Sequence, residues 1–326
     1  LTANTTGGSN TAVGYTALVA NTTGAENVAT GKGSLQANTT ASYNTAVGSG
    51  ALGDTTTGAS NTAVGRGSLN KNTTGAGNVA VGYAALDAST THGGNTAVGY
   101  NAATNTVTTG VTAVGYQAML TNTTGYDTVA VGQSALTANT TGHSNVAVGF
   151  NCMLLNTTGA SNVAMGNGAL DSNTTASNNT AVGTSALTTN ITGINNTAVG
   201  GSALGSVLND GNTAVGLSAG AGITSGQYNT TIGLVSMTAA VYTGSYNSSI
   251  GYNANPSAAD SSGQFTLGDT NISNLRCNDQ SISALSDSRD KTDVIDSPYG
   301  LDFINTVRPV QFKWDTRDGN VKDGST

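Results

Sequence analysis

An all-β parallel solenoid, a β-roll of 17-residue coils, is the fold this sequence predicts, and three observations predict it. A glycine returns at Gly14, Gly31, Gly48, Gly65, Gly82, Gly99, Gly115, Gly132, Gly149, Gly166, Gly183, Gly200, Gly216, Gly233, Gly251 and Gly268, in steps of 17 with two of 16 and one of 18. Each glycine closes a short alternating segment such as Asn61-Thr62-Ala63-Val64. Four residues after most of these glycines stands a second apolar residue, Leu or Met. A fixed period of this length means one structural unit stacked on copies of itself, burying together a core that no single unit could build.

The alternating segment reads as a strand. Thr62 and Val64 share one face, Asn61 and Ala63 the other. Asn78-Val79-Ala80-Val81, Asn145-Val146-Ala147-Val148 and Asn162-Val163-Ala164-Met165 place bulkier apolar residues at the Thr and Val positions. The bulky face is therefore expected to fill the coil interior. The Ala face is expected to be the side that another subunit approaches closely.

The second apolar site comprises Leu18, Leu35, Leu52, Leu69, Leu86, Met119, Leu136, Met153, Leu170, Leu187, Leu204 and Met237, with Ala103 and Gly220 as exceptions beside the 16-residue steps. Stacked in register, these residues form a ladder, each contributing roughly 1.5–3 kcal/mol on burial. The Asn-Thr-Thr-Gly segment supplies the corner. Gly tolerates positive φ, Asn and Thr bond the local backbone, and stacked asparagines bond one another along the axis. The glycine after Val marks a tight bend or a close backbone approach. At about 4.8 Å per coil, fifteen steps give a rod on the order of 70 Å.

Composition changes where the repeat stops. Residues 1–268 hold three basic residues (Lys32, Arg66, Lys71) and seven acidic ones, whereas 269–326 hold seven basic and ten acidic. Pro256, Pro298, Pro309 and Trp314 also lie at or beyond the end of the array. The expected division is a solenoid shaft over 1–268, a connector over 269–285 and a further domain over 286–326. A net charge of −7 without a basic stripe argues against nucleic-acid binding. No 18-residue apolar run marks a membrane span. No signal peptide is visible, and the chain begins mid-repeat, as a fragment would.

Few side chains point to chemistry. Cys152 takes the slot that holds Ala in most repeats, and Cys277 lies outside the array. Both read as small buried hydrophobes, with neither a disulfide framework nor zinc spacing. His92 and His143 fall in variable turn positions and read as solvated. Asp54, Asp87, Asp127, Asp171 and Asp210 are scattered, with neither a calcium repeat nor a glycosidase pair, and read as solvated charges. No cofactor and no metal is implied. The Asn-Thr-Thr sequons are explained by turn chemistry.

Two resemblances add to this. Asn247-Ser248-Ser249-Ile250-Gly251 and Asn229-Thr230-Thr231-Ile232-Gly233 resemble the strand repeat in the head of trimeric autotransporter adhesins. That repeat has a shorter period and builds a parallel β-roll. Ser286-Asp287-Ser288-Arg289-Asp290-Lys291 is similar to the Ser-Asp-x-Arg-x-Lys motif of the intramolecular chaperone domain of phage endosialidases and tail spikes. Leu301-Asp302-Phe303-Ile304, Arg308-Pro309-Val310 and Phe312-Lys313-Trp314 also look like that self-cleaving family. The family's domain runs on past Thr326, so residues 286–326 read as its N-terminal part, a short α+β segment.

This second resemblance implies a homotrimer whose chaperone aligns three chains and then cuts itself off between Leu285 and Ser286. Ser286 is the implied nucleophile, Lys291 its base, and Asp287 and Arg289 support the motif. A serine hydroxyl needs such a base, and a desolvated lysine can serve near neutral pH. Without the resemblance, Ser286-Asp287 reads rather as a helix cap, with Arg289 and Lys291 as surface charges.

The functional expectation is a phage tail fibre or spike in the virion that contacts a host cell-surface receptor or glycan. Any enzymatic activity is at most autoproteolytic. The alternatives are a bacterial trimeric adhesin on the extracellular cell surface and a polysaccharide-degrading spike, which seven unpaired acids support poorly. An ice-type lattice binder fits badly, because Val interrupts the Thr rows.

Overall fold

The computed structural model describes residues 2–239 and 241–274. Among these the chain forms sixteen strands, from β1 (Thr11–Val13) to β16 (Phe265–Leu267), and no helix. All sixteen belong to one sheet in sequence order, each strand parallel to the next and paired residue for residue. The predicted parallel solenoid is the observed fold.

The coil from Asn145 to Ser161 illustrates the rest. Its strand, β9 (Val146–Val148), pairs with β8 (Thr128–Val131) on one side and β10 (Val163–Met165) on the other. Beyond the strand the coil is all turns, yet its backbone remains bonded to both neighbours. Gly149 N–H donates to Val131 O at 2.8 Å and Asn151 N–H to Gln133 O at 3.1 Å. Met153 N–H donates forward to Ala169 O at 2.9 Å, and Thr157 N–H to Thr174 O at 2.8 Å. A three-residue strand suffices because the turns are laddered too, which satisfies backbone groups that would otherwise be orphaned in the stack.

Four residues of this coil have positive φ: Gly149 (143°), Asn151 (52°), Met153 (50°) and Ser161 (58°). The ladder leucines share the property, from Leu18 (47°) to Leu204 (49°). A left-handed leucine costs roughly 1–2 kcal/mol. It persists because the position is over-determined. The side chain is fully buried, its N–H bonds the next coil, and its carbonyl accepts a bond three residues on, as Asn156 N–H to Met153 O at 3.2 Å.

The glycine after each strand does both things expected of it. Gly132 has φ 135°, and a Cβ there would land on the carbonyl oxygen of Gly149 in the next coil. The same overlap recurs along the column.

The strand faces are the reverse of the expectation. Ala29, Ala46, Ala63, Ala80, Ala97, Ala113, Ala130, Ala147, Ala164, Ala181, Ala198 and Ala214 are fully buried. The Thr and Val residues on either side of them point outward, Val64 being 37% exposed and Met165 45%. The coil interior is already occupied by the Leu/Met ladder and by two asparagines, so a strand can contribute only a methyl group to it. Asparagine settles the parity. Asn145 is buried and two residues from Ala147, so the two must share a face. The β-branched residues serve the strand backbone, which they favour through restricted χ1, rather than the core.

The two asparagine columns brace each corner from both sides. Asn145 Nδ2 donates to Gly159 O at 2.8 Å, and Asn156 Nδ2 donates to the same oxygen at 3.0 Å. One column links along the axis through its amides: Asn139 to Asn122 at 2.8 Å, Asn156 to Asn139 at 2.8 Å and Asn173 to Asn156 at 2.7 Å. The other links through backbone, Asn162 N–H donating to Asn145 Oδ1 at 2.9 Å and Asn179 N–H to Asn162 Oδ1 at 2.9 Å. The amide chain breaks between Asn173 and Asn190, where Asn173 Oδ1 has no partner, and where a coil substitutes another residue. Asn38 Oδ1 has no partner opposite Thr55, nor Asn190 Oδ1 opposite Val207. Where Gly220 leaves the Leu column empty, fully buried Ile223 fills the space from the asparagine column.

Cys152 behaves as the small buried hydrophobe expected. It is fully buried, its thiol points to Ala164 O at 3.2 Å, and burial pushes its pKa up to about 12. A thiol held protonated in this way is a poor nucleophile. Cys277 lies outside the described residues.

Candidate functional sites

With the core made of Leu, Ala and Asn, function falls to the exterior, and the exterior is organised in columns. The outer face of the sheet is the most regular. None of the sixteen strands contains a charged residue. Its last column reads Val13, Thr30, Val47, Val64, Val81 and Val98 through the first coils and Val199, Val215, Ile232, Ile250 and Leu267 through the last. Thr30 is the one polar residue in that column. Thr and Val alternate irregularly in the first column, so the face is uncharged, half apolar and repeated at the coil spacing.

A second column, one residue after the strand glycine, carries aromatic rings. Tyr83 stacks on Tyr100 with centroids 5.1 Å apart, and Tyr100 on Tyr116 at 5.4 Å. Tyr126 and His143, in a third column, stack at 4.8 Å. His143 is half-buried, its ring stacked on Tyr126 rather than fully solvated. His92 is only half exposed: it takes the corner position that holds glycine in most coils, its carbonyl accepts from Asn78 Nδ2 at 3.0 Å, and its Nδ1 is buried. A side chain at that corner is drawn against the stack, which corrects the reading of His92 as solvated.

The charged side chains are also less scattered than the linear sequence implies. Lys32 and Arg66 occupy the same column two coils apart, with Ser49 between them and Tyr83 after them. This row forms one wall of a groove, and Gln36, Asn70 and Asp87 stand on the other. The floor is Gly33, Gly50 and Gly67, all at φ near 70°, in a column that elsewhere holds Thr16, Asn101, Gln117, Ser134 and Asn151. Arg66 lies over the Tyr83 ring, its Cζ 5.6 Å from the centroid, with Nη1 donating to Tyr83 Oη at 3.4 Å. Lys71 pairs with Asp87 at 3.6 Å. Asp87 is thus ion-paired rather than merely solvated. Sequence reading missed this groove. The signal was present as register: Lys32 and Arg66 are two periods apart, and the three glycines follow one another at one period.

The residues of the expected self-cleavage, Leu285, Ser286, Asp287, Arg289 and Lys291, all lie outside the described residues. No helix of the described residues is long and apolar enough to cross a membrane.

Comparison with known proteins bears on the C-terminal region. Residues 286–325 match the family model described as chaperone of endosialidase. The motif beginning at Ser286 therefore sits at the start of a segment similar to that intramolecular chaperone. No curated protein matches the chain.

Proposed function

We propose that this chain is the shaft of a homotrimeric phage tail fibre or spike, assembled by the chaperone that begins at Ser286. The observation that carries the proposal is the joining of a charge-poor parallel solenoid to a segment matching the endosialidase chaperone family. A stack of sixteen parallel strands with open edges folds slowly and is exposed to mispairing. A C-terminal domain that sets three chains in register answers that difficulty. In this reading the division is a shaft over 1–268, a connector over 269–285 and the start of the chaperone over 286–326. The fibre is extracellular, carried on the virion, and touches the host cell surface.

The three chains meet through the outer Thr/Val face. Around a threefold axis running along the stack, each residue facing the axis lies near its own equivalents, so any charge would oppose a like charge; this face has none. Only another copy repeats at the coil spacing and can match the face over its whole length. The face is three residues wide and sixteen coils long, about 10 Å by about 75 Å, giving about 750 Å² per chain. A threefold arrangement divides this between two neighbours, about 375 Å² per chain in each pairwise contact, so the trimer is held by three such contacts together. Mass photometry of the intact protein is expected to give three chain masses, and a stable monomer would refute the fibre.

Self-cleavage completes assembly. Lys291 takes the Ser286 hydroxyl proton, Oγ attacks the Leu285 carbonyl carbon, and the proton passes to the departing Ser286 nitrogen. Water then hydrolyses the Leu285 ester, leaving a carboxylate on the shaft and a free amine on the chaperone. A chaperone that lowers the barrier to folding lowers it to unfolding as well, so its loss slows unfolding and holds the fibre kinetically. In the full-length gene product, Ser286→Ala is expected to leave a larger band than wild type on a denaturing gel. Equal bands would remove Ser286 from the mechanism.

A further inference from the structure

The groove over Gly33, Gly50 and Gly67 is lined by two of the three basic residues of residues 1–268, Lys32 and Arg66 on one wall, while the third, Lys71, pairs with Asp87 of the other wall. Two adjoining hollows of about 300 Å³ each make it up, sharing Ser49, Gly50 and Asn70. We propose that this groove binds an acidic oligosaccharide, a stretch of hydroxyl-rich polysaccharide bearing carboxylates. The inference rests on the reading of the chain as a fibre that touches a cell surface, and it assigns that contact a place and a chemistry.

Four features select this ligand. The groove is open and its lining is mainly polar, which suits a ligand wet on one side rather than an apolar small molecule, whose pockets are enclosed and apolar. Its floor is backbone, because three successive coils place glycine where others carry side chains. A flat ring can therefore approach closely, its hydroxyls donating to main-chain carbonyls, since the N–H groups of Gly33, Gly50 and Gly67 already donate to Tyr15, Lys32 and Ser49. Gln36 and Asn70 reach over that floor, Gln36 Oε1 lying 3.2 Å from where a Cβ at Gly33 would stand and Asn70 Oδ1 3.4 Å from one at Gly50. Side-chain amides, with donors and an acceptor on one plane, match sugar hydroxyls.

The fourth feature is charge. The chain carries −7 overall, yet this groove is lined by Lys32 and Arg66, with Asp54 opposing them and Asp87 already paired with Lys71. Lys32 and Arg66 stand two coils apart, about 9.6 Å at the strand spacing. This spacing suits carboxylates on alternate sugars better than a single anion, which would need both cations together. Arg66 is also held in place. Its guanidinium rests on Tyr83, whose far face is occupied by Tyr100, so the arginine is oriented before any ligand arrives. Arg66 and Lys32 would contact carboxylates, and Tyr83 is a positioning residue.

The test is isothermal titration of the full chain with hexasaccharides of alginate and hyaluronan, and with neutral maltohexaose. Binding of at least one acidic hexasaccharide but not maltohexaose is expected, weakening as salt is raised. Lys32→Gln and Arg66→Gln should each weaken it about tenfold. Gly50→Val, which fills the floor, should abolish it, and Asp260→Asn, at the far end of the solenoid, should leave it unchanged. Circular dichroism and trimer mass confirm that the variants remain folded. If neither acidic hexasaccharide binds, or if binding survives both cation substitutions, the groove proposal is overturned while a trimeric mass leaves the fibre reading standing. A monomer that binds acidic sugars through Arg66 would overturn the fibre and keep the groove.

Discussion

Gly132→Ala is expected to break the solenoid in two. The added methyl would land on the Gly149 carbonyl, part of the backbone of the next coil, which cannot rotate aside as a side chain can. The φ of 135° lies in a region nearly closed to residues with a Cβ and costs roughly 1–3 kcal/mol by itself. Strain and overlap together put the loss at about 4 kcal/mol or more, at the exceptional end for one substitution. Stability in a repeat array is a sum of coil terms and nearest-neighbour interfaces, so a lost central interface uncouples the coils on either side. Limited proteolysis should then cut near residues 132–149, where wild type resists. Gly168→Ala is the control. At Gly168 φ is 60°, a value that Ser134 and Asn151 adopt in the same column, and a Cβ would meet nothing nearer than 3.9 Å. It should cost about 1 kcal/mol and leave proteolysis unchanged. Equal effects from the two substitutions would show that the close approach of successive glycines is not what demands them.

The sequence announces the glycine column because steric exclusion leaves one residue type at each such position. The Leu/Met ladder is legible for a similar reason: a fully buried site in a narrow coil accepts little variation in size. The asparagine columns are half legible. Their amides are expected to stack, but that Asn145 and Asn156 converge on one carbonyl requires knowing that the coil returns to the same place from both directions. The strand faces are not legible from side-chain bulk. Bulk identifies the core only when the core has room, and here two asparagines and a leucine already fill it. The Arg66 groove hides for another reason. Its residues belong to three or four different coils, and only writing the sequence in register brings Lys32, Arg66 and the three glycines into columns.

Paired substitutions at neighbouring residues test both the inverted faces and the interface assigned to the outer one. Ala147→Leu adds a branched side chain to a fully buried site bounded by Ala130 and Ala164 above and below. Overpacking a filled core costs typically 1–3 kcal/mol, and a laddered backbone has little freedom to shift. Val148→Ala, on the outer side, removes no core contact and should stay within about 0.5 kcal/mol in an isolated chain. Were the bulky face the core, the order would reverse, and Val148→Ala would be the damaging change. Outer charge then separates folding from assembly. Val131→Lys with Val148→Lys places two lysines per chain on the face that has no charge, so six would crowd around the threefold axis at adjacent heights. Like charges brought together in an interface cost several kcal/mol. The expected result is a chain with wild-type circular dichroism whose mass distribution at nanomolar concentration shifts from trimer toward single chains, more strongly at low salt. A trimer unaffected by both lysines would mean that the copies meet along some other side of the coil, leaving the uncharged face without a partner.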